Sequence, residues 1–186
     1  MAFPPRKYLG VYNPHQILKD YSLKPVTLMD MRKAKRHSAS PHFQRPSRKI
    51  YIPETMADIE SALNYLSSIP LMAVDIETHG RQITCIGFAP NKNLAFVFPI
   101  TKGLGSYWTE AQELYVWRAI RMILTNPKTK KIFQNGLYDL KFLWEIYGIP
   151  VANSSEDTML LHHALYIESE KSLGFMGSVY TDEPSW

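Results

Sequence analysis

The sequence contains very little of what several protein classes require. A single cysteine, Cys85, excludes an internal disulfide framework and a zinc site with several thiolates, and it fits a reducing compartment. The apolar runs are far shorter than the roughly 18 residues that a membrane-spanning helix needs, and the first residues, MAFPPRKYLG, lack the apolar stretch of a secretory signal. These absences predict a cytoplasmic chain without a membrane partner. The 45% apolar and 20% charged residues are typical of a folded domain.

Positive charge is concentrated at the N-terminus. Residues 1–50 contain eleven lysines and arginines against two aspartates, a balance of +9, while residues 51–186 contain ten basic and fifteen acidic residues, a balance of −5. Residues 1–50 also show no sustained apolar periodicity. We therefore expect 1–50 to be a basic, poorly ordered arm and 51–186 to form the folded domain. The charge of this arm either contacts a polyanion such as nucleic acid or keeps a solvated linker extended.

The apolar pattern beyond residue 53 predicts a mixed succession of helices and strands. Helical spacing occupies the segment between Pro53 and Pro70, and Thr109 with Gln112 predicts a capping box at a second helix. The predicted strands are 71–77, 83–89, 94–100 and 131–134, and the predicted later helices are 138–147, 157–166 and 172–180.

Three strands in direct succession pair antiparallel, and a strand reached through a helix runs parallel to its partner. The succession therefore resembles an α/β fold of the ribonuclease-H-like type. Its mixed sheet would have three antiparallel strands followed by parallel strands, flanked by helices.

Two carboxylates stand at the end of the first of these strands. Asp75 and Glu77 are two residues apart, so both side chains project from the same face of the sheet. Two like charges on one face are costly unless a cation neutralises them, and hard oxygen ligands suit Mg²⁺ or Mn²⁺. Taken alone, an Asp-x-Glu pair is more often simply a strand end that enters water.

Two longer motifs identify a family. LMAVDIETHG and, further along, QNGLYDLKFL resemble the first two motifs of the DEDD superfamily of 3′→5′ exonucleases, in the form found in the proofreading domain of family A DNA polymerases. EDTMLLHHAL and KSLGFMGSVYTDEP are similar to segments that follow the second motif in phage and bacterial relatives. The resemblance runs from about Pro53 to the C-terminus. It implies the ribonuclease-H-like fold and metal-dependent hydrolysis of DNA from a single-stranded 3′ end during replication, in a bacterial or phage-infected cell.

The same resemblance assigns roles to individual residues. It implies that Asp75, Glu77 and Asp139 are catalytic and hold two ions of Mg²⁺ or Mn²⁺. It also places Thr78 and His79, just past the first carboxylates, at the terminal nucleotide. Asn135 and Tyr138 of the second motif are expected to shape the groove that binds the nucleic acid; these seven residues are the candidate site.

No third motif of the superfamily follows the second one in the sequence. Relatives carry Tyr-x-x-x-Asp or His-x-x-x-x-Asp on a final helix, whereas no tyrosine here is followed by aspartate at that spacing. We therefore expect the exonuclease domain to be C-terminally incomplete, with the last helix missing and an apolar patch exposed near residues 172–186. A polymerase domain, or the remainder of the exonuclease, is then the protein partner expected in trans.

Three functions remain open from the sequence. The first is a proofreading exonuclease that acts on DNA. The second is a catalytically incomplete fragment that binds nucleic acid without turnover. The third is an exoribonuclease similar to RNase D, which shares these motifs. Metal-dependent hydrolysis separates the first from the second, and a comparison of DNA with RNA separates the first from the third.

Overall fold

The computed structural model describes residues 7–42 and 46–183. The helices are α1 (Pro14–Lys19), α2 (Leu23–His37), α3 (Met56–Ser67), α4 (Glu110–Thr125), α5 (Leu137–Tyr147), α6 (Thr158–Leu165) and α7 (Leu173–Tyr180). The strands are β1 (Lys49–Tyr51), β2 (Leu71–His79), β3 (Gln82–Asn91), β4 (Leu94–Pro99), β5 (Thr101–Lys102), β6 (Gly105–Ser106), β7 (Lys130–Phe133) and β8 (Glu156–Asp157).

The described chain divides into two compact units. Residues 47–158 form the sheet unit, and the described residues before 47 and after 158 form the helical unit. No helix of the described residues is both long and apolar enough to cross a membrane.

The sheet unit is built on a six-stranded mixed sheet in the order β1-β4-β3-β2-β7-β8. The strands β2, β3 and β4 pair antiparallel, whereas β7 runs parallel to β2 and β8 parallel to β7. This arrangement confirms the predicted α/β fold of the ribonuclease-H-like type. The edge strands β1 and β8 were not predicted, because strands of three and two residues are too short to show a period-two pattern.

The core lies on one face of this sheet. It joins Met72, Val74 and Ile76 of β2 to buried residues of β3 and β4, and to the apolar faces of α3, α4 and α5. The capping box of Thr109 and Gln112 at the start of α4 is present, as predicted. At the start of α3, Asp58 accepts hydrogen bonds from Tyr51 and Thr55, which lower its pKa to about 2. These caps fix the helix starts against the sheet.

The helical unit contains ordered structure in the segment for which we expected a poorly ordered arm. Over residues 14–37 the chain forms α1 and α2 rather than an extended coil. Lys33 of α2 is 9% exposed, and its Nζ donates to the carbonyls of Ser178 (2.9 Å) and Thr181 (2.7 Å) at the end of α7. A cation at the C-terminus of a helix satisfies its free carbonyls and opposes its dipole. This long-range contact, 145 residues apart in sequence, is why local composition did not reveal the order of this segment.

A buried histidine joins the remaining helices of this unit. His162 of α6 is 3% exposed, with Nδ1 2.7 Å from the hydroxyl of Tyr180 and Nε2 3.1 Å from the carbonyl of Glu170. Since the carbonyl only accepts, Nε2 carries the proton and Nδ1 accepts from the tyrosine. The face of α7 that contains Met176 and Val179 is buried, whereas Leu173 and Tyr180 are about half exposed. Of the apolar patch expected near residues 172–186, the described residues expose Leu173 and Tyr180 of α7, and residues 184–186 lie outside the described part of the chain.

Candidate active site

The strand β2 places two carboxylates on the face of the sheet opposite the core. Burial alternates strictly along β2, so Met72, Val74 and Ile76 face the core and Asp75 and Glu77 point to the other side. This is the shared face that the two-residue spacing predicts.

Small residues of β3 lie opposite both carboxylates. Asp75 is paired with Gly87 and Glu77 with Cys85, and a register shift follows Glu77. Small neighbours leave the carboxylate oxygens accessible above the sheet. Burial, with Glu77 as a second cause, raises the pKa of the Cys85 thiol, so this cysteine is held as a neutral neighbour of the site.

Asp139 is brought to the same strand from α5. It lies in the first turn of that helix, is 5% exposed, and its Oδ1 accepts a hydrogen bond of 3.1 Å from the backbone N–H of Ile76. The pairing of β2 with β7 ends at Ala73 and Ile132, so a side chain rather than a strand carbonyl satisfies this N–H. The bond fixes Asp139 between the positions of Asp75 and Glu77 along the strand.

The electrostatics of these carboxylates favour a positive charge at the site. The pKa of Asp139 is raised to about 6, chiefly by burial; the hydrogen bond from Ile76 opposes this rise, and the charge of Asp75 adds to it. Burial, followed by the charge of Glu77, also raises the pKa of Asp75. Neighbouring negative charge therefore makes Asp75 and Asp139 harder to ionise. A divalent cation would reverse this effect.

The turn before α5 determines where Asp139 points. Asn135 has a φ of 55°, a left-handed conformation, and Gly136 follows it at the helix start. A Cβ on Gly136 would lie 2.4 Å from Cβ and 2.8 Å from Cγ of Phe133, so only glycine fits at this position. Two consecutive residues of the turn therefore have special requirements: a left-handed backbone at Asn135 and the absence of a side chain at Gly136.

Asp157, which the sequence analysis did not assign to the site, holds this turn. Its Oδ1 accepts from the N–H of Asn135 at 3.2 Å and its Oδ2 from the N–H of Gly136 at 2.7 Å. Both N–H groups lie at the open N-terminal end of α5, where an anion is favourable. Sequence alone offered one signal, an aspartate at the first position of the predicted helix 157–166, a position typical of residues that stabilise the start of their own helix. The structure instead shows it satisfying the start of a different helix.

Replacing Asp157 with asparagine is expected to destabilise the sheet unit by about 2 kcal/mol, because Asn retains only one acceptor oxygen for two backbone donors. The matched control is Glu156→Gln, since Glu156 pairs with Lys130 at 3.1 Å on a partly exposed edge, where an ion pair contributes little. Thermal denaturation of both variants measures the difference. Equal melting temperatures for the two variants would show that Asp157 does not hold the turn.

The four other predicted residues lie on β2 or at the start of α5, as the carboxylates do. The hydroxyl of Thr78 lies 2.7 Å from that of Tyr138, a bond that joins the end of β2 to the start of α5. Tyr138 is 52% exposed and its ring is 5.8 Å from that of Phe142. His79 is exposed at the last position of β2, and Asn135 occupies the left-handed turn. The structure thus places these residues on the same two segments as Asp75, Glu77 and Asp139.

The carboxylates of the site are compared with the ligands that a divalent metal ion requires in proteins. Among the described residues, no group of three or more His, Cys, Asp or Glu side chains is close enough to form a complete metal cage. Mg²⁺, however, usually keeps several waters and binds through one or two protein carboxylates. The accessible pair Asp75 and Glu77 provides those ligands, and Asp139 lies beside the same strand. The chemistry of the donor set therefore fits Mg²⁺ or Mn²⁺.

Three solved structures of other proteins have a fold similar to that of this chain. The chain is similar to the catalytic core of RRP6 from Trypanosoma brucei, with a TM-score of 0.55, 16% identity, and coverage of 75% of this chain and 38% of that one. It is also similar to RNase D from Trypanosoma brucei in complex with RNA U12, with a TM-score of 0.54, 17% identity, and coverage of 74% and 48%.

A third similar structure is the Nibbler EXO domain of Aedes aegypti, with a TM-score of 0.54, 15% identity, and coverage of 74% and 71%. The chain spans about two fifths of the length of the RRP6 structure. These likenesses show a shared fold.

Sequence comparison extends this result. None of the curated proteins matches the chain. The sequence model described as 3′-5′ exonuclease matches residues 50–184, which include β2, the turn before α5, and all the candidate residues of the site. Members of this family of the DEDD type depend on divalent metal ions. The match covers most of the chain, and the chain therefore belongs to the 3′-5′ exonuclease family.

Proposed function

We propose that this chain hydrolyses the terminal phosphodiester at the 3′ end of single-stranded DNA, as the proofreading module of a family A DNA polymerase. The observation that carries the proposal is the bond between Asp139 and Ile76, because it brings the second motif onto the strand of Asp75 and Glu77. The DIET and NGLYD sequences, which resemble those of polymerase exonuclease domains, support DNA as the substrate.

In this proposal the three carboxylates hold the metal ions. Asp75 and Glu77 would provide the accessible oxygens, and Asp139, beside the same strand, would be the third ligand. When bound, such ions activate a water molecule and stabilise the leaving 3′ oxygen. The buried hydrogen bond from Ile76 keeps Asp139 in place before and after binding, so the ligand set needs little rearrangement.

The remaining candidate residues would position the terminal nucleotide. The bond between Thr78 and Tyr138 fixes the orientation of a tyrosine ring that is half exposed, and an aromatic face of this kind stacks on any base. His79 would meet the nucleotide from the end of β2. Asn135 would shape the groove, its left-handed backbone held by Asp157. Contacts to base faces and phosphates predict hydrolysis that is independent of sequence.

RNA is the second candidate substrate. The observation that favours it is the likeness to the RNase D structure solved with RNA U12, at a TM-score of 0.54. In that reading the same carboxylates would hydrolyse an RNA 3′ end. A fragment that binds a strand without turnover is the third reading, since the sequence lacks the Tyr-x-x-x-Asp motif. In that case a polymerase domain or the rest of the exonuclease would act as a partner in trans.

Matched DNA and RNA oligonucleotides of one sequence test the proposal. Each carries a 5′ label and a free 3′ hydroxyl, and each is incubated with the chain and Mn²⁺ or Mg²⁺. Faster shortening of DNA supports the proofreading function. Faster shortening of RNA replaces it with the exoribonuclease function. Binding of both without shortening, in a protein shown to be folded, supports the binding fragment.

A further inference from the structure

The helix α2 has two chemically different faces. Lys33, on the inner face, is held by the carbonyls of Ser178 and Thr181. At 100° per residue, Lys24, Leu28, Met31 and Lys35 lie about 160–220° from Lys33 around the helix, and Arg32 lies at the edge of this group. All five are exposed. We call them the outer face of α2.

The charge of the outer face is of one sign. Lys24, Arg32 and Lys35 are exposed cations, and none of them lies within salt-bridge distance of a carboxylate of the described residues. The acid of this helix, Asp30, lies about 60° from Lys33, on the inner side, where burial raises its pKa. The fold therefore separates the helix into an anchored inner side and a cationic outer side.

The spacing of the cations suits an extended polyanion. At 1.5 Å per residue, Lys24 and Lys35 are about 16 Å apart along the axis, a distance over which a nucleic-acid strand presents several phosphates. Tyr21, which is 68% exposed, lies beside Lys24, with Nζ 4.5 Å from its ring centre. A base that stacks on this ring would place its phosphate near the same lysine.

The whole-chain charge distribution points the same way. Residues 1–50 carry a balance of +9 and residues 51–186 a balance of −5. Leu28 and Met31 are the apolar members of the outer face, too narrow a stripe for a helix that lies in a membrane surface. The choice of a nucleic acid as partner rests on the proposed function.

We propose that the outer face of α2 is a binding surface for the phosphodiester backbone of a single-stranded nucleic acid, separate from the carboxylate site. Its contacts are ionic and independent of sequence. Its cations bind a strand without using the carboxylates, so this binding does not require metal or hydrolysis.

The test compares two triple variants of equal charge. The first carries Lys24→Gln, Arg32→Gln and Lys35→Gln, and glutamine has a helix propensity close to that of lysine and arginine. The control carries Lys92→Gln, Lys102→Gln and Lys128→Gln, which are exposed lysines of the sheet unit. Circular dichroism confirms that both variants keep the helical content of the parent.

Binding is measured in EDTA, where no hydrolysis interferes. The probe is a fluorescein-labelled single strand of about 20 nucleotides, as DNA and as RNA, titrated at several salt concentrations from roughly 50 to 300 mM. With three phosphate contacts removed, the slope of log K against log salt is expected to fall by about 2, and affinity near 0.1 M salt by 10-fold or more. The control is expected to keep the parental slope.

The result that overturns the proposal is an equal loss in both triple variants, or no loss in either. Weak binding to nucleic acid by the parent chain, with tight binding to anionic lipid vesicles instead, would also overturn it. Because the assay contains no metal, a chain that fails to hydrolyse any substrate can still support this inference. If the parent chain hydrolyses DNA but the outer-face variant keeps the parental slope, this inference is contradicted while the proposed function is not.

Discussion

The Asp75→Asn substitution is expected to reduce the rate of nucleotide release by about 1,000-fold or more, because it removes an accessible carboxylate that would hold the metal ions. Asp75 is exposed on the face of the sheet opposite the core, and its cross-strand partner Gly87 has no side chain. Glu77→Gln is expected to act in the same direction. Single-turnover hydrolysis of a 5′-labelled single strand at saturating Mn²⁺ measures both effects.

Loss of folding would not explain such a result. The pKa of Asp75 is raised by burial and by Glu77, so asparagine removes an unfavourable charge from the metal-free site and is expected to preserve the melting temperature. Glu60→Gln is the control, since Glu60 is an exposed carboxylate of α3, which packs on the other face of the sheet. Parental activity in the Asp75 variant would remove this residue from the mechanism.

The metal-free protein is expected to become more stable above pH 7 when Asp139 is replaced with asparagine. Burial raises the pKa of Asp139 from 3.8 to about 6, a shift that corresponds to about 3 kcal/mol in favour of the protonated form. Ionisation of Asp139 therefore costs the folded protein stability as pH rises from the unfolded pKa of 3.8 through the folded pKa of about 6. Below pH 3.8 this cost is absent. Asparagine keeps an oxygen for the N–H of Ile76 and carries no charge.

Thermal denaturation in EDTA from about pH 4 to pH 8 measures this effect. For a chain of this size each kcal/mol corresponds to about 2–4 °C, so a gain of several degrees is expected near pH 8 and little gain near pH 4. Asp58→Asn is the matched control. Its pKa is lowered to about 2, so the same substitution there is expected to reduce stability at neutral pH.

Added Mn²⁺ should raise the melting temperature of the parent more than that of the Asp139 variant. In EDTA at pH 8, a melting temperature of the Asp139→Asn variant below that of the parent would contradict the expectation that the ionised Asp139 destabilises the metal-free protein.

Local patterns were sufficient to predict the parts of the fold that depend on short segments. The alternation along β2 predicted that Asp75 and Glu77 share a face, and the structure shows that face opposite the core. The periodic apolar positions likewise predicted α3, α4 and the antiparallel strands. In each case the pattern exists because one side of the element is buried, so it can be read from neighbouring residues.

The interactions that complete the site join distant segments and were not readable in this way. The bond from Ile76 to Asp139 spans 63 residues, and Asp157 reaches back to a turn 21 residues earlier. The order of α2 depends on Lys33 and the end of α7, in the opposite terminal region of the sequence. Composition showed only that this segment is basic and contains proline and serine. Burial of a lysine at a helix end has no local signature.

Removal of nucleotides from a 3′ end is the activity that we propose for this chain. It is tested most directly by incubating a 5′-labelled single-stranded DNA with the chain and Mn²⁺, and separating the products on a denaturing gel. We expect a ladder that shortens one nucleotide at a time, disappears in EDTA, and is lost in the Asp75→Asn variant. An uncut strand, or a product cut at an internal position, would contradict it.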